Sequence, residues 1–247
     1  MTKVVVTGAN GFLGRNLVSR LLQAERVETI PVTRDDSPQS FRRKLEESDF
    51  VFHLAAAIRP KEESAFHRDN VELTKQLLET LEQAGSRSPV IFSSSSQVSH
   101  DTLYGQSKRK AERLLTEAGE RGLPVKIYRF PSIFGKWCKP NYNSVVATFC
   151  HNLAQGLPVV VHDQSAWLRL VYIEDVLDSF MADLQGTSPG VSLGKVSPEF
   201  ELTVGQLEST LRSLKDDRLP GLQDTELAQK LRETFLEHAK GVQLGNP

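Results

Sequence analysis

Only two cysteines, Cys138 and Cys150, occur in the 247 residues. Two are too few for a disulfide framework. The chain start, "MTKVVVTGAN", carries an apolar run of only Val4 to Val6, too short for the core of a secretion signal. The expectation is a cytoplasmic protein whose cysteines are free, buried thiols. No apolar stretch approaches the ~20 residues needed to cross a bilayer. Charge of one sign is also lacking: 30 basic and 31 acidic side chains leave a formal net charge of −1. Neither nucleic acid nor an anionic membrane is an expected partner, and an anionic ligand must be held by a local site. The six histidines are scattered, so no metal site is expected. No internal repeat and no low-complexity linker interrupts the chain. With 39% hydrophobic and 25% charged residues, the composition is that of a globular domain and not a disordered one.

What is present is alternation. "KVVVTG" is a β-branched run that ends in glycine, followed by "GFLGRNLVSRLLQAE" with apolar residues at helical spacing. "VETIPVTR", "DFVFHLAAA", "PVIFSSSS" and "LPVKIYRF" read as further strands. They are separated by helices over "QSFRRKLEES", "AFHRDNVELTKQLLETLEQAG" and "YGQSKRKAERLLTEAGERG". Strand and helix in turn predict right-handed βαβ units and a parallel sheet covered on both faces. After Phe130 the rhythm changes. "PSIFGKWCKPNYNS" reads as turns, "VVATFCHNLAQG" as a helix, and "LPVVVHD" and "LRLVYIEDV" as strands. "EDVLDSFMADLQG" continues as a helix, and two more helices, joined by "RLPGLQ", complete the chain. The fold class expected is α/β, a Rossmann-type doubly wound parallel sheet with a small C-terminal substrate-binding lobe. Residues 1–130 and 167–187 would form the cofactor-binding part, and 131–166 and 188–247 the lobe.

"TGANGFLG" places Gly8, Gly11 and Gly14 three apart, between the first strand and the first helix. This is the logic of a dinucleotide fingerprint: a tight turn, close backbone approach to a pyrophosphate, and close helix–strand packing. Asn10 sits inside the turn. The main-chain N–H groups near Phe12 and Leu13 open the helix, where its dipole favours an anion. Arg34 ends the second strand, and its planar fork suits the 2′-phosphate of NADP. Asp35 and Asp36 follow, which suit the ribose of NAD. NADP(H) is the expected cofactor and NAD(H) the alternative.

Tyr104 and Lys108 lie four apart at a helix start and so share one face. A free tyrosine titrates at ~10. A neighbouring cation lowers that value by ~1–3 units, which turns the phenol into an acid–base group. The same lysine can hydrogen-bond a ribose hydroxyl. The serines of "IFSSSS" end the fourth strand, at the carboxyl edge where such sheets bind ligands, and one hydroxyl there can polarise a carbonyl.

Taken together, "TGANGFLG", "HLAA", the strand-end serines, "YGQSK" and "RFPSIFG" resemble the extended short-chain dehydrogenase/reductase family, the NAD-dependent epimerases and dehydratases, over about residues 3 to 180. The resemblance implies Ser95, Tyr104 and Lys108 as the catalytic set. It implies Leu54, Ala55, Ala56 and Pro131 as further cofactor neighbours. "HLAAAIRP", "SSSSQ" with "YGQSK", and "FGKWCKPNYNSVVATFC" are more narrowly similar to the reductase half of CapF-type capsular polysaccharide enzymes. That likeness implies NADPH-dependent reduction of the C4 ketone of a UDP-2-acetamido-2,6-dideoxy-4-hexulose. The cupin domain of those enzymes would begin about where this chain ends, so their epimerase step and metal are not carried over. A homodimer is expected from the family habit. The alternatives are an epimerase that retains NAD(P) and a non-catalytic NADP-sensing module.

Some positions depart from the family pattern. Ser95 and Tyr104 are only nine apart, which implies an open substrate side. Ser132 replaces the usual asparagine of the "N-x-Y-G" stretch. Leu168 fills the place of an arginine, with Arg169 one residue late. In "KWCKPNYNS", Lys139, Asn141, Asn143 and Ser144 suit a diphosphate and an acetamido group. The same residues are also ordinary turn formers. Arg59 and Lys61 read as solvated charges, His53 as a satisfied strand histidine, and His100 as part of the short loop.

Overall fold

The computed structural model of the chain describes residues 1–216 and 225–243. The expected "RLPGLQ" connection lies outside them. The chain divides into two compact units, residues 1–130 with 177–195 and residues 131–176 with 196–247.

The first unit is built on six parallel strands: β1 (Thr2–Thr7), β2 (Val27–Val32), β3 (Phe50–His53), β4 (Val90–Ser95), β5 (Val125–Phe130) and β8 (Val191–Gly194). Their order across the sheet is β2-β1-β3-β4-β5-β8. The order reverses direction between β1 and β3, which makes that edge the ligand crevice of a doubly wound sheet. Val5, Val51, Val90, Phe92, Val125 and Ile127 turn to one face. There they pack on Phe41 and Leu45 of α2 (Pro38–Glu46), Leu77 and Leu81 of α4 (Leu73–Gln83), and Ala111 and Leu115 of α5 (Leu103–Glu120). The other face carries an aromatic cluster. Phe52 lies 5.0 Å from Phe50 and 5.1 Å from Phe180 of α7 (Ile173–Asp183), and Tyr128 and Phe130 stack at 5.3 Å. Each such side chain, taken fully out of water, stabilises the fold by about 1.5–3 kcal/mol. Burial on both faces explains why β1, β3 and the first half of β4 read as apolar runs.

Local chemistry sets the helix starts. α1 (Phe12–Leu21) begins at Gly11 with no side-chain cap. α2 begins at Ser37, whose hydroxyl accepts the Ser40 amide, with Pro38 in the first turn. α5 begins at Thr102, whose Oγ1 accepts the Gly105 amide. The long helix expected over residues 65–85 is present but not uniform. α3 (Ser64–Phe66) runs into a π-helical segment (His67–Glu72) before α4. The widened turns bring Asn70, a polar residue, to a buried position.

In the second unit, β6 (Ser132–Phe134), β7 (Trp167–Tyr172) and β9 (Phe200–Thr203) form a three-stranded sheet. α6 (Val145–Ala154), α8 (Val204–Lys215) and α9 (Glu226–Gln243) are its helices. Thr203 and Gln206 form a reciprocal capping box at the start of α8.

Three expectations are corrected. "LPVVVHD" forms no strand: Leu157 and Val160 are exposed, and Pro158 gives up an amide donor. β7 was expected in the cofactor-binding part, but it pairs with β6 and β9 in the second unit. β8 was expected within the lobe, but it closes the main sheet by pairing Val191–Gly194 with Val125–Tyr128. No helix among the described residues is long and apolar enough to cross a membrane.

Candidate active site

The glycine turn is shaped by close approach of the backbone. Gly8 has φ +69, and a Cβ there would lie 2.7 Å from the Ala55 Cα and 2.8 Å from the Ala55 nitrogen. A Cβ on Gly14 would run into the Gly8 carbonyl. Glycine is therefore required at both positions, by conformation at the first and by space at both. The Gly11 amide donates to the Gly8 oxygen at 2.8 Å and closes the turn. Leu54, Ala55 and Ala56 follow β3 directly and pass beside Gly8.

Thr7 secures that passage. Its buried Oγ1 accepts the Leu54 and Ala55 amides at 3.1 and 3.2 Å, and lies 2.8 Å from His53 Nδ1. On the other side of the ring, His53 Nε2 lies 2.8 Å from Thr74 Oγ1, which donates to the Asn70 carbonyl at 2.8 Å. A hydroxyl has one proton. Thr74 spends its proton on Asn70, so it accepts from His53 Nε2–H. Thr7 then donates to the bare Nδ1. Every donor and acceptor in the row is satisfied by the neutral Nε2–H tautomer, assigned by this network. Burial, reinforced by the nearby Lys108 charge, pushes the imidazole down to about 3. His53 is thus a satisfied strand histidine.

Asn70 makes the next connection. Its Oδ1 accepts the Ala57 amide at 2.7 Å, while Nδ2 donates to the Ala57 carbonyl at 3.0 Å and to Ser107 Oγ at 2.9 Å. Ser107 in turn donates to the Tyr104 carbonyl at 2.7 Å. The π-helical segment thereby ties the loop after β3 to the first turn of α5.

Of the three expected catalytic residues, Tyr104 lies in that turn, Lys108 one turn later, and Ser95 at the end of β4. The Tyr104 phenol neighbours Ser95, and its ring lies 6.2 Å from that of Phe66. Ser95 Oγ also accepts the Gln97 amide at 3.1 Å, which starts the short 3-10 turn Ser96–Ser99. Lys108 is 1% exposed, and its Nζ donates to the Ser93 carbonyl at 2.6 Å and sits 4.0 Å from the centre of the Phe92 ring. Burial pushes the ammonium down to about 7, against an opposing pull from the Glu112 carboxylate. The Tyr104 phenol is pushed up by burial, with the Ser95 hydrogen bond drawing it partly back. The expectation that Lys108 lowers the tyrosine is thus corrected for this arrangement, because the ammonium is turned to Ser93.

Further groups at the site carry weaker sequence signals. A Cβ on Gly105 would strike the Gln97 and His100 carbonyls, so the glycine of "YGQSK" lets α5 press against the short loop. Arg109 pins that loop through Nη1 to the Val98 and His100 carbonyls at 2.5 and 2.8 Å. The exposed His100 itself lies 2.8 Å from Gln97 Oε1. Glu112 is buried one turn after Lys108. Their signals were a polar residue on an apolar helix face (Asn70) and the i, i+4 spacing from Lys108 (Glu112).

At the end of β2, Arg34 is 85% exposed and reaches to within 3.6 Å of Asp69. Asp36 is occupied. Its carboxylate accepts from the Thr33 amide at 2.9 Å, the Ser40 hydroxyl at 2.7 Å and the Lys44 ammonium at 2.5 Å. Burial raises this carboxyl, but those donors outweigh it and hold it at about 2.

In the second unit, the "KWCKPNYNS" loop divides. Lys139 lies exposed, 5.7 Å from the Tyr142 ring, and Asn143 is exposed. Asn141 has φ +54, with its amide bound to Thr148 Oγ1. Ser144 corrects its expected substrate role: it is buried, and its hydroxyl caps α6 by accepting the Ala147 amide at 3.2 Å. Arg169 is engaged by Glu199 at 2.5 Å and Glu201 at 3.5 Å. Pro131 follows β5 directly, and Arg59 and Lys61 are exposed. Cys138 and Cys150 are free and buried, and burial pushes both thiols up.

Residues 4–192 match the NAD dependent epimerase/dehydratase family. Over 218 residues the chain is 44% identical to the UDP-2-acetamido-2,6-beta-L-arabino-hexul-4-ose reductase of Pseudomonas aeruginosa, covering 87% of this chain and 58% of that relative. It is 26% identical to the ceramide reductase of Caulobacter vibrioides, covering 72% of this chain and 60% of the relative. The chain thus spans about three fifths of the length of these two relatives. Among solved structures, it is similar to the capsular polysaccharide assembling protein CapF of Staphylococcus aureus, with TM-score 0.85 and 34% identity, covering 99% of this chain and 68% of that one. UDP-glucuronic acid 4-epimerase of Bacillus cereus in complex with NAD shares the fold, with TM-score 0.80 at 18% identity, covering 99% and 100%.

Proposed function

From the premise that the chain belongs to the NAD dependent epimerase/dehydratase family, we propose that it is an NADPH-dependent reductase of a nucleotide sugar. Its substrate is the C4 ketone of a UDP-2-acetamido-2,6-dideoxy-4-hexulose, used in making surface or capsular polysaccharide precursors. The observation that carries this reading is the convergence of Ser95, at the end of β4, on Tyr104 in the first turn of α5, with Lys108 one helical turn further along. The name of the Pseudomonas aeruginosa relative supports the substrate class.

The chain's own residues fit a dinucleotide. The Gly8 turn presses on Ala55 where a Cβ would clash, and α1 opens without a side-chain cap, so its first amides suit a pyrophosphate. Gly8, Asn10, Gly11, Phe12, Leu13 and Gly14 would hold that group, with Leu54, Ala55, Ala56 and Pro131 beside it. Arg34 would take the 2′-phosphate. The preference for NADP rests on an exposed guanidinium beside an Asp36 already filled by its own donors.

The cofactor supplies a hydride to C4 when bound. Ser95 donates a hydrogen bond to the carbonyl oxygen and polarises it. Tyr104 gives its proton to that oxygen as charge develops, a contribution of ~10²–10⁴ in rate. Lys108 holds a ribose hydroxyl and supplies positive charge behind the tyrosine. Lys139, Asn141 and Asn143 would contact the nucleotide sugar. The proposal includes a cytoplasmic homodimer, on family resemblance alone.

The test mixes the protein with NADPH or NADH and a panel of UDP-4-keto sugars. It follows the loss of reduced-nicotinamide absorbance and the stereochemistry of the product. Stoichiometric oxidation of NADPH with formation of a C4 alcohol is expected. Epimerised sugar without net oxidation would assign a retained-cofactor epimerase, and no turnover with tight NADPH binding would assign a sensing module.

A further inference from the structure

Tyr104, Lys108 and Glu112 form one stripe along α5 at intervals of four. The third member has no role in the reaction described above, yet it is 6% exposed, deeper than an unpaired carboxylate can be placed without large cost. Two neighbouring strands hold it there. Ser94 of β4 and Arg129 of β5 are directly paired in the sheet, so their side chains rise beside each other on the α5 face. Ser94 Oγ donates to Glu112 Oε1 at 2.5 Å. Arg129 grips both oxygens, Nε to Oε1 at 3.0 Å and Nη2 to Oε2 at 2.7 Å. A bidentate guanidinium and a hydroxyl are the partners that a buried carboxylate needs.

The three consecutive serines thus serve the stripe in order. The Ser93 carbonyl takes Lys108, the Ser94 hydroxyl takes Glu112, and the Ser95 hydroxyl meets Tyr104. We propose that Glu112, clamped by Ser94 and Arg129, is the positioning residue that supplies the counter-charge of Lys108 and keeps that lysine cationic through turnover. This rests on the assignment of Lys108 to the reaction.

The surroundings of Lys108 leave Glu112 as the source of negative charge. From β3 comes His53, neutral in its row of hydrogen bonds. β4 offers only serines and Phe92. β5 offers Arg129, and α5 itself offers Tyr104 and Glu112. The ionisable residues of the π-helical segment have other partners, His67 with Glu72 and Asp69 with Arg68 and Arg34. A carbonyl and a ring face stabilise an ammonium, but burial works against it. Glu112 acts in the opposite direction, through space and along the same helix.

The test reads the alkaline limb of the pH profile of kcat/KM, where loss of the lysine proton would end turnover. Glu112→Gln keeps shape and hydrogen bonding and removes the charge. Its limb should move to lower pH by about one unit, the scale of one nearby charge. A limb unmoved in a folded Glu112→Gln variant overturns the proposal. Should that variant fail to fold, Arg129→Gln is compared with the double variant Glu112→Gln/Arg129→Gln, in which two amides replace the ion pair. The two differ only by the Glu112 charge, so the limb of the double variant should lie at lower pH, and coincident limbs overturn the proposal. Lys108→Met is measured alongside: turnover equal to the parent would remove the lysine from the reaction, a failure of the underlying reading and not of Glu112 alone. If no sugar in the panel is reduced, the same limb is read in the pH dependence of NADPH affinity by nicotinamide fluorescence.

Discussion

The ammonium nitrogen of Lys108 lies 2.6 Å from the main-chain oxygen of Ser93, in a site closed to water. Burial pushes this lysine down to about 7 from the ordinary 10.5. Below about 7 both folded and unfolded chains carry the proton, and above 10.5 neither does. Between those values the unfolded chain binds more protons, so stability contributed by this residue rises with pH across the window. Lys108→Met should flatten that rise. Urea midpoints measured from neutral to alkaline pH check it, and an equal slope in both proteins would contradict the burial of a titrating ammonium.

Tyr104→Phe removes the hydroxyl that meets Ser95 and leaves the ring beside Phe66. NADPH affinity should stay within a few-fold while turnover falls at least ~10²-fold, the scale of acid–base catalysis. Single-turnover kinetics with bound cofactor separates the two. Undiminished turnover would remove Tyr104 as the proton donor.

Arg34→Ala should weaken NADPH binding and leave NADH binding unchanged, since its guanidinium is exposed while Asp36 is engaged by Thr33, Ser40 and Lys44. Titrations of nicotinamide fluorescence with each cofactor give the comparison. Equal losses for both would take Arg34 out of 2′-phosphate recognition.

Thr7→Val keeps the shape of the side chain and deletes the acceptor of the Leu54 and Ala55 amides. The buried Leu54 amide, the part-buried Ala55 amide and His53 Nδ1 would lose their partner, at about 1–3 kcal/mol for each buried group left unsatisfied. Denaturant unfolding should show the loss, and cofactor affinity should fall with it because the same loop passes Gly8. A variant as stable as the parent would show that water replaces the hydroxyl.

The inner strands β1, β3, β4 and β5 were legible because a parallel strand covered on both faces leaves an apolar run that no surface segment imitates. β8 was not. Val191 and Leu193 sit on an edge strand with their side chains exposed, so nothing in composition separates it from a loop. "LPVVVHD" is the reverse case, β-branched by composition but lacking a partner strand. At the site, Tyr104 and Lys108 were readable because their relationship is local to one helix. Glu112 was not, because Ser94 and Arg129 meet only through the pairing of β4 with β5. Ser144 misled for a related reason: a serine before an apolar run serves a helix cap as readily as a ligand.

The row through Thr7, His53, Thr74 and Asn70 ends in main-chain groups on both sides, amides that only donate at Leu54 and Ala55 and a carbonyl that only accepts at Asn70. Neither end can exchange roles, so the row cannot run backwards. The imidazole in contact with Phe92, beneath Lys108, therefore has no path along which to relay a proton. What it transmits is distance. The spacing between α4 and the loop after β3 is held by a ring that pH within the working range does not alter.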